Sequence, residues 1–214
     1  MTVTQNASQT GELSQKAIFD LIRPLYDQAK DQREKDQVLA ALSRSVTEDA
    51  AVFFDELAIS EPKQKRNSEA ISARIRDQMK KVVKLEGGGE LPVSAAEFQP
   101  SGGMSLTDGT LVNWLSPSDW CSWWVEFDAA GTYEISASQA CTTQTAGTFE
   151  ILAAGQKVEG KARKTKGPKE FADVKVGTLK VSQPGLFKLV LRPLELPEDG
   201  SLFRLKGLSL SKGG

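Results

Sequence analysis

Up to about residue 85 the apolar positions recur every three or four residues; beyond residue 92 they alternate. Leu13, Ala17, Ile18, Leu21, Ile22, Leu25, Tyr26 and Ala29 form one amphipathic stripe, the mark of a helix with one buried face. Pro24 falls inside it and is expected to kink the helix, since it brings no N–H and its ring crowds the preceding turn. Val38, Leu39, Leu42 and Val46 make a second stripe. Thr47 can cap a third helix, with Glu48 and Asp49 in the first turn where the helix dipole favours them, and Val52, Phe53 and Leu57 on its buried side. Ile71, Ile75, Met79 and Val82 mark a fourth helix, starting near Glu61-Pro62 and ending in basic residues before Gly87. Residues 12–85 are thus predicted to be an all-α bundle of about four helices, antiparallel because the turns are short. Residues 1–11 are polar and read as a disordered N-terminus.

Residues 86–92, with three adjacent glycines, read as a linker. In the next half, 93–211, Cys121, Trp123, Val125 and Phe127 alternate with Ser122, Trp124, Glu126 and Asp128. Ala129-Ala130-Gly131 reads as a hairpin turn into Tyr133, Ile135 and Ala137. Further short runs, Phe149–Ala153, Val174–Val181, Leu186–Leu191 and Phe203–Leu210, are separated by Gly and Pro turns. This pattern predicts two packed antiparallel sheets, so the fold class is α+β in separate domains: a helical bundle followed by a β-sandwich.

Composition narrows the chemistry. The net charge is −1, which gives no general case for nucleic acid or an anionic membrane. No apolar run approaches the roughly 18 residues of a membrane span. Met1–Thr10 lacks the basic and apolar regions of a signal peptide, and the compartment stays open. The chain has no histidine, so Ser-His and Cys-His catalysis and the commonest metal ligand are missing. Two cysteines, Cys121 and Cys141, are too few for a zinc ribbon. They are expected as buried thiols, because the hairpin would set Cys121 opposite about Ser138 rather than Cys141. Asp119 and Glu126 read as capping or surface carboxylates, not as a facing acid/base pair. The expectation is a binding protein without catalytic residues, cofactor or metal.

Asn113-Trp-Leu-Ser-Pro-Ser-Asp-Trp-Cys-Ser-Trp123, followed by Val125-Glu-Phe127 and Ala130-Gly-Thr-Tyr133, resembles the strand pair of family six and family thirty-five carbohydrate-binding modules. The series continues through Ala140-Cys141, Gly147-Thr-Phe-Glu150, Gly160-Lys161, Thr165-Lys-Gly167, Phe171, Leu189-Val-Leu-Arg-Pro193 and Leu205-Lys-Gly-Leu-Ser-Leu210. It is most similar to the jelly-roll ancillary domain appended to some bacterial sulfatases and α-L-fucosidases, over about residues 92–211. The resemblance implies a galactose-binding-like jelly roll, sugar binding and an extracytoplasmic setting. Two departures stand out. Pro168 occupies the place of a tryptophan that stacks on sugar in the family. Related modules hold calcium between a glutamate, matched by Glu97, and an aspartate, replaced by Lys206. Lys206 is expected to lie near Glu97 and stand in for the ion.

Trp114, Trp120, Trp123 and Trp124 fall within eleven residues. Alternation assigns Trp123 to the core and Trp124 to the opposite face. Trp114 and Trp120 flank the Ser116–Asp119 loop and are the candidates for stacking on a flat ligand. Lys157–Lys169 holds six basic residues and one acid, at the position of the family's ligand loop. Arg163, Lys164 and Lys166 are the candidates for choosing an acidic polysaccharide. The competing readings are a solvated basic hairpin and an assembly protein with a degenerate sugar site; a hydrolase working with carboxylates alone ranks third. The helical half, a thin core of about 75 residues, is expected to gain support from a protein partner or self-association.

Overall fold

A computed structural model describes residues 13–99, 103–142, 147–198 and 200–213. The expected N-terminal disorder at 1–11 lies outside them. The chain divides into two compact units between Val82 and Val83.

The first unit holds four helices: α1 (Gln15–Gln28), α2 (Gln32–Leu42), α3 (Glu48–Ser60) and α4 (Lys65–Met79). Each of the first three starts on a side chain that takes up an orphan backbone N–H. Ser14 accepts from Ala17, Asp31 from Glu34 and Thr47 from Ala50. α1 runs unbroken through Pro24 and buries Ile18, Phe19, Ile22 and Tyr26. Tyr26, Phe53 and Phe54 meet edge to face, with centroids 5.4 and 5.3 Å apart. Leu42, Phe54 and Ile75 are at most 1% exposed, and small buried residues, Ser68 and Ser72, line α4. The Tyr26 hydroxyl donates to Glu61 at 2.7 Å; burial and that carboxylate push its pKa up to about 12.

The second unit holds β1 (Val83–Leu85), β2 (Gly88–Pro92), β3 (Glu97–Gln99), β4 (Ser105–Thr107), β5 (Thr110–Val112), β6 (Trp120–Phe127), β7 (Gly131–Ala140), β8 (Thr148–Ala153), β9 (Gln156–Lys161), β10 (Ala172–Val181), β11 (Gly185–Glu195) and β12 (Arg204–Lys212). One six-stranded sheet has the order β1-β6-β11-β8-β9, with β3 also on β6; the other has β10-β7-β12-β5-β4, with β2 also on β12. Alternation decides which side faces in. Cys121, Trp123, Val125 and Phe127 point into a core shared with Tyr133, Ile135, Phe149, Phe187, Leu189 and Leu208. A file of edge-to-face rings, Trp114–Phe203–Phe149, crosses it at 5.6 and 5.2 Å.

Three expectations need correction. Residues 83–92 are neither a helix end nor a linker: β1 lies before residue 86, and β2 pairs Gly88–Pro92 with Ser211–Gly207. The glycines serve a turn and a close approach. Gly87 and Gly88 have φ of 75° and 150°, and a Cβ on Gly88 would stand 2.6 Å from the Leu210 carbonyl oxygen. Second, the sandwich is not wholly antiparallel, because β1 runs parallel to β6. Third, Asp128–Gly131 is not a hairpin turn. β6 and β7 belong to different sheets, so the chain arches across the core there and the expected register of Cys121 with Ser138 does not exist. Both cysteines are nonetheless buried thiols, and burial pushes the Cys121 thiol well up.

Candidate ligand-binding face

Residues that alternate with the core side of the first sheet make its outer face. On β6 these are Trp120, Ser122, Trp124 and Glu126; on β11 they are Leu186, Lys188, Val190 and Arg192. β3 brings Gln99 beside Trp120 and Glu97 beside Ser122. The indole Nε1 of Trp120 donates to Gln99 Oε1 at 2.8 Å, which fixes a partly exposed ring on the surface. Lys188 Nζ lies 5.4 Å from the Trp120 ring centre and 5.3 Å from that of Trp124, within cation–π reach of both. The same ammonium is 3.4 Å from Glu97.

Further across, Glu150 is 1% exposed although it belongs to the outer side of β8. Arg192, its register partner, hydrogen-bonds it, and Lys157 stands 3.0 Å away while also pairing with Glu159. Burial alone would raise the Glu150 carboxyl, but the bonds from Arg192 and Lys157 outweigh it and hold the group below its ordinary value.

The predicted site residues separate. Trp114 is 0% exposed against Phe203 and cannot stack on a ligand, which corrects its assignment. It was misread because Phe203, far along the chain, closes over it. Trp120 is the surface ring. Arg163, Lys164 and Lys166 are exposed on the segment after β9 and form no ion pair among the described residues. Thr165 ties that segment down: its N–H donates to the Cys141 carbonyl at 2.8 Å, and its Oγ1 accepts from the Cys141 N–H at 3.1 Å. β6 begins and β9 ends at the same end of the sheet, so Trp120 and the basic segment share that end. Three strand spacings, about 14 Å, separate Trp120 from β9. A depression of about 380 Å³ lined by Thr148, Glu159, Gly160, Lys161, Leu194 and Glu195 opens beside the segment. Another, of about 460 Å³, lies at the far end around Leu85, Phe127 and Gly185.

Lys206 does not approach Glu97. It sits 4.2 Å over the Phe171 ring, on the other sheet, so the expected stand-in for calcium is absent and Lys188 pairs with Glu97 instead. Among the described residues no group of three or more His, Cys, Asp or Glu could hold a metal. Asp119 is buried and accepts from the Leu115 and Ser116 N–H groups at 2.9 Å, while Glu126 pairs with Lys84 at 3.4 Å. Reasoning from sequence missed Lys188, Gln99 and Arg192. Alternation gave their side of each strand, but only the pairing of β3 and β11 with β6 brings them to Trp120.

Residues 91–203 match the domain of unknown function DUF5077, and the chain belongs to that family. No curated protein matches the chain. Among solved structures it is similar to the mosquito-larvicidal Cry4Aa toxin of Bacillus thuringiensis, at 8% identity and a TM-score of 0.50, covering 63% of this chain and 25% of the toxin. It is also similar to the family 35 carbohydrate-binding module from Cellvibrio japonicus Abf62, at 12% identity, 59% and 94% coverage and a TM-score of 0.48. The C-terminal family 6 module of the laminarinase LamC from Zobellia galactanivorans gives 16% identity, 58% and 99% coverage and 0.45. These are likenesses of fold. The chain spans a quarter of the toxin and nearly the whole of each module.

Proposed function

We propose that the β unit is a non-catalytic carbohydrate-binding module for acidic glycans. The observation that carries this reading is Trp120: a partly open indole, held by Gln99, on a sheet face where Lys188 and Arg192 can donate to hydroxyl or carboxylate oxygens and Glu97 can accept from hydroxyls. An indole face offers apolar area to the C–H face of a sugar ring, and the polar rim sets its orientation. Arg163, Lys164 and Lys166, exposed at the same end, add a field that favours anionic chains. Titrating the full chain with acidic and neutral polysaccharides tests the proposal. Binding should be weak, fall with salt, and vanish in Trp120→Ala. Unchanged binding by Trp120→Ala would end this reading.

A second reading, assembly through the helical unit, draws on Leu21, Leu25, Val52 and Ile59, which are 36–83% exposed on α1 and α3. Sedimentation over a concentration series decides it: a species that stays monomeric at high concentration removes self-association.

A further inference from the structure

Trp120, Ser122 and Trp124 stand in one file on the outer face of β6. Ser122 is 1% and Trp124 7% exposed, yet neither Ser122 Oγ nor Trp124 Nε1 has a hydrogen-bond partner among the described residues. Buried polar groups are normally satisfied, and an unsatisfied one destabilises the protein that carries it. Two adjacent exceptions on a surface strand therefore ask for a reason. Lys188 supplies part of it. The two tryptophans are four residues apart, so their backbones are about 13 Å apart along the strand, but the rings lean towards each other, since a single ammonium reaches both. An ammonium 5.4 and 5.3 Å from their centres lies between them, over Ser122. It is anchored by Glu97, the register partner of Ser122. The two side chains are 37% and 26% exposed, and an ion pair this open to water is readily exchanged.

We propose that this file is a subsite for the carboxylate of a uronic acid residue, with Lys188 as the residue that determines specificity. The inference rests on the carbohydrate reading. The ammonium turns from Glu97 to the ligand carboxylate and uncovers the file. Trp120 supports the face of the sugar ring. Trp124 Nε1–H and the Ser122 hydroxyl donate to ligand oxygens, and Glu97 accepts from a ring hydroxyl. The preference for a charged ligand comes from the Lys188 ammonium, which bonds an anionic acceptor more strongly than a neutral one. Lys188 and the indole N–H can only donate, so the file calls for an acceptor-rich group. Recognition of the acid thus sits on the sheet face, and the Arg163–Lys166 segment contributes only long-range attraction.

The test is calorimetric titration of the full chain with polygalacturonate and with a neutral galactan, beside thermal melts. Lys188→Met keeps the stem and removes the charge. It should weaken polygalacturonate binding about tenfold and galactan binding by much less. Trp124→Phe should weaken polygalacturonate binding several-fold. Ser122→Ala should do the same while melting no lower than wild type, because it removes a buried donor that has no partner; a merely structural serine would lower the melt and spare affinity. Two results overturn the subsite and leave the carbohydrate reading standing: Lys188→Met that binds polygalacturonate like wild type, or a preference for acid lost only when Arg163, Lys164 and Lys166 are all replaced by Ala. If the wild type binds neither polymer, the carbohydrate reading fails and the subsite with it.

Discussion

The indole of Trp114 is sealed against Phe203, whereas that of Trp120 is partly open and held by a single bond to Gln99. Trp114→Ala should lower stability by about 3–5 kcal/mol, the usual penalty for emptying an aromatic site in a core. Trp120→Ala should cost about 1 kcal/mol, since one hydrogen bond is lost; urea denaturation of the two variants measures the contrast. Alternation within one strand was enough to read Trp123 as core and to place Trp124 on the other face. It could not read Trp114, which lies in a loop and owes its burial to a distant phenylalanine. Glu150 shows the same limit. Its position in β8 was plain, but its cations come from β11 and β9. Its folded carboxyl binds a proton less readily than the ordinary value of 4.5. The unfolded chain therefore takes up more protons as pH falls, and the stabilisation, full above that value, is lost as pH drops through the lower folded pKa. Melts from pH 7 to pH 3 should fall more steeply for wild type than for Glu150→Gln. At pH 7 Arg192→Met should lose about 2 kcal/mol, because it withdraws a charged hydrogen bond from a buried carboxylate.

At the scale of elements, the helices were the most legible part. Their caps and stripes are local, and Thr47 caps α3 as its position before Glu48 and Asp49 implied. Thr47→Ala should cost about 1 kcal/mol by chemical denaturation. The stretch from Val83 to Pro92 was misread for an equally physical reason. Three glycines signal freedom when seen alone. Here Gly88 and Gly89 pair with β12, at the far end of the sequence; a Cβ on Gly88 would meet the β12 backbone, and one on Gly89 the Leu85 side chain of β1. Gly88→Ala combines an unfavourable φ with a clash against backbone, so it should destabilise the β unit by more than about 1 kcal/mol. A variant melting like wild type would show that β2 contributes little.

For the whole molecule, two separate hydrophobic clusters, one among the helices and one in the sandwich, imply two cooperative transitions. Scanning calorimetry should resolve them. Phe54→Ala should shift only the transition of the helical unit, and Phe149→Ala only that of the sandwich. The sequence announced both units because the period of its apolar residues changes between them. It could not announce which strand pairs with which. The arch from β6 to β7 looks locally like any hairpin, and only the competing partners β11 and β12 show that the chain has changed sheets.

The β1–β2 turn has one more consequence. Gly87 accepts from Lys212, and Gly88 pairs with Ser211, so the turn that follows the opening strand lies beside the end of β12, the closing one. Trp120 and Arg163–Lys166 are at the other end of the sheets. The unit is therefore built like a plug with both leads on one side. Spliced into a surface loop of an unrelated host, it would need only short spacers and would not pry the host apart, and it would present Trp120 outward from the point of attachment.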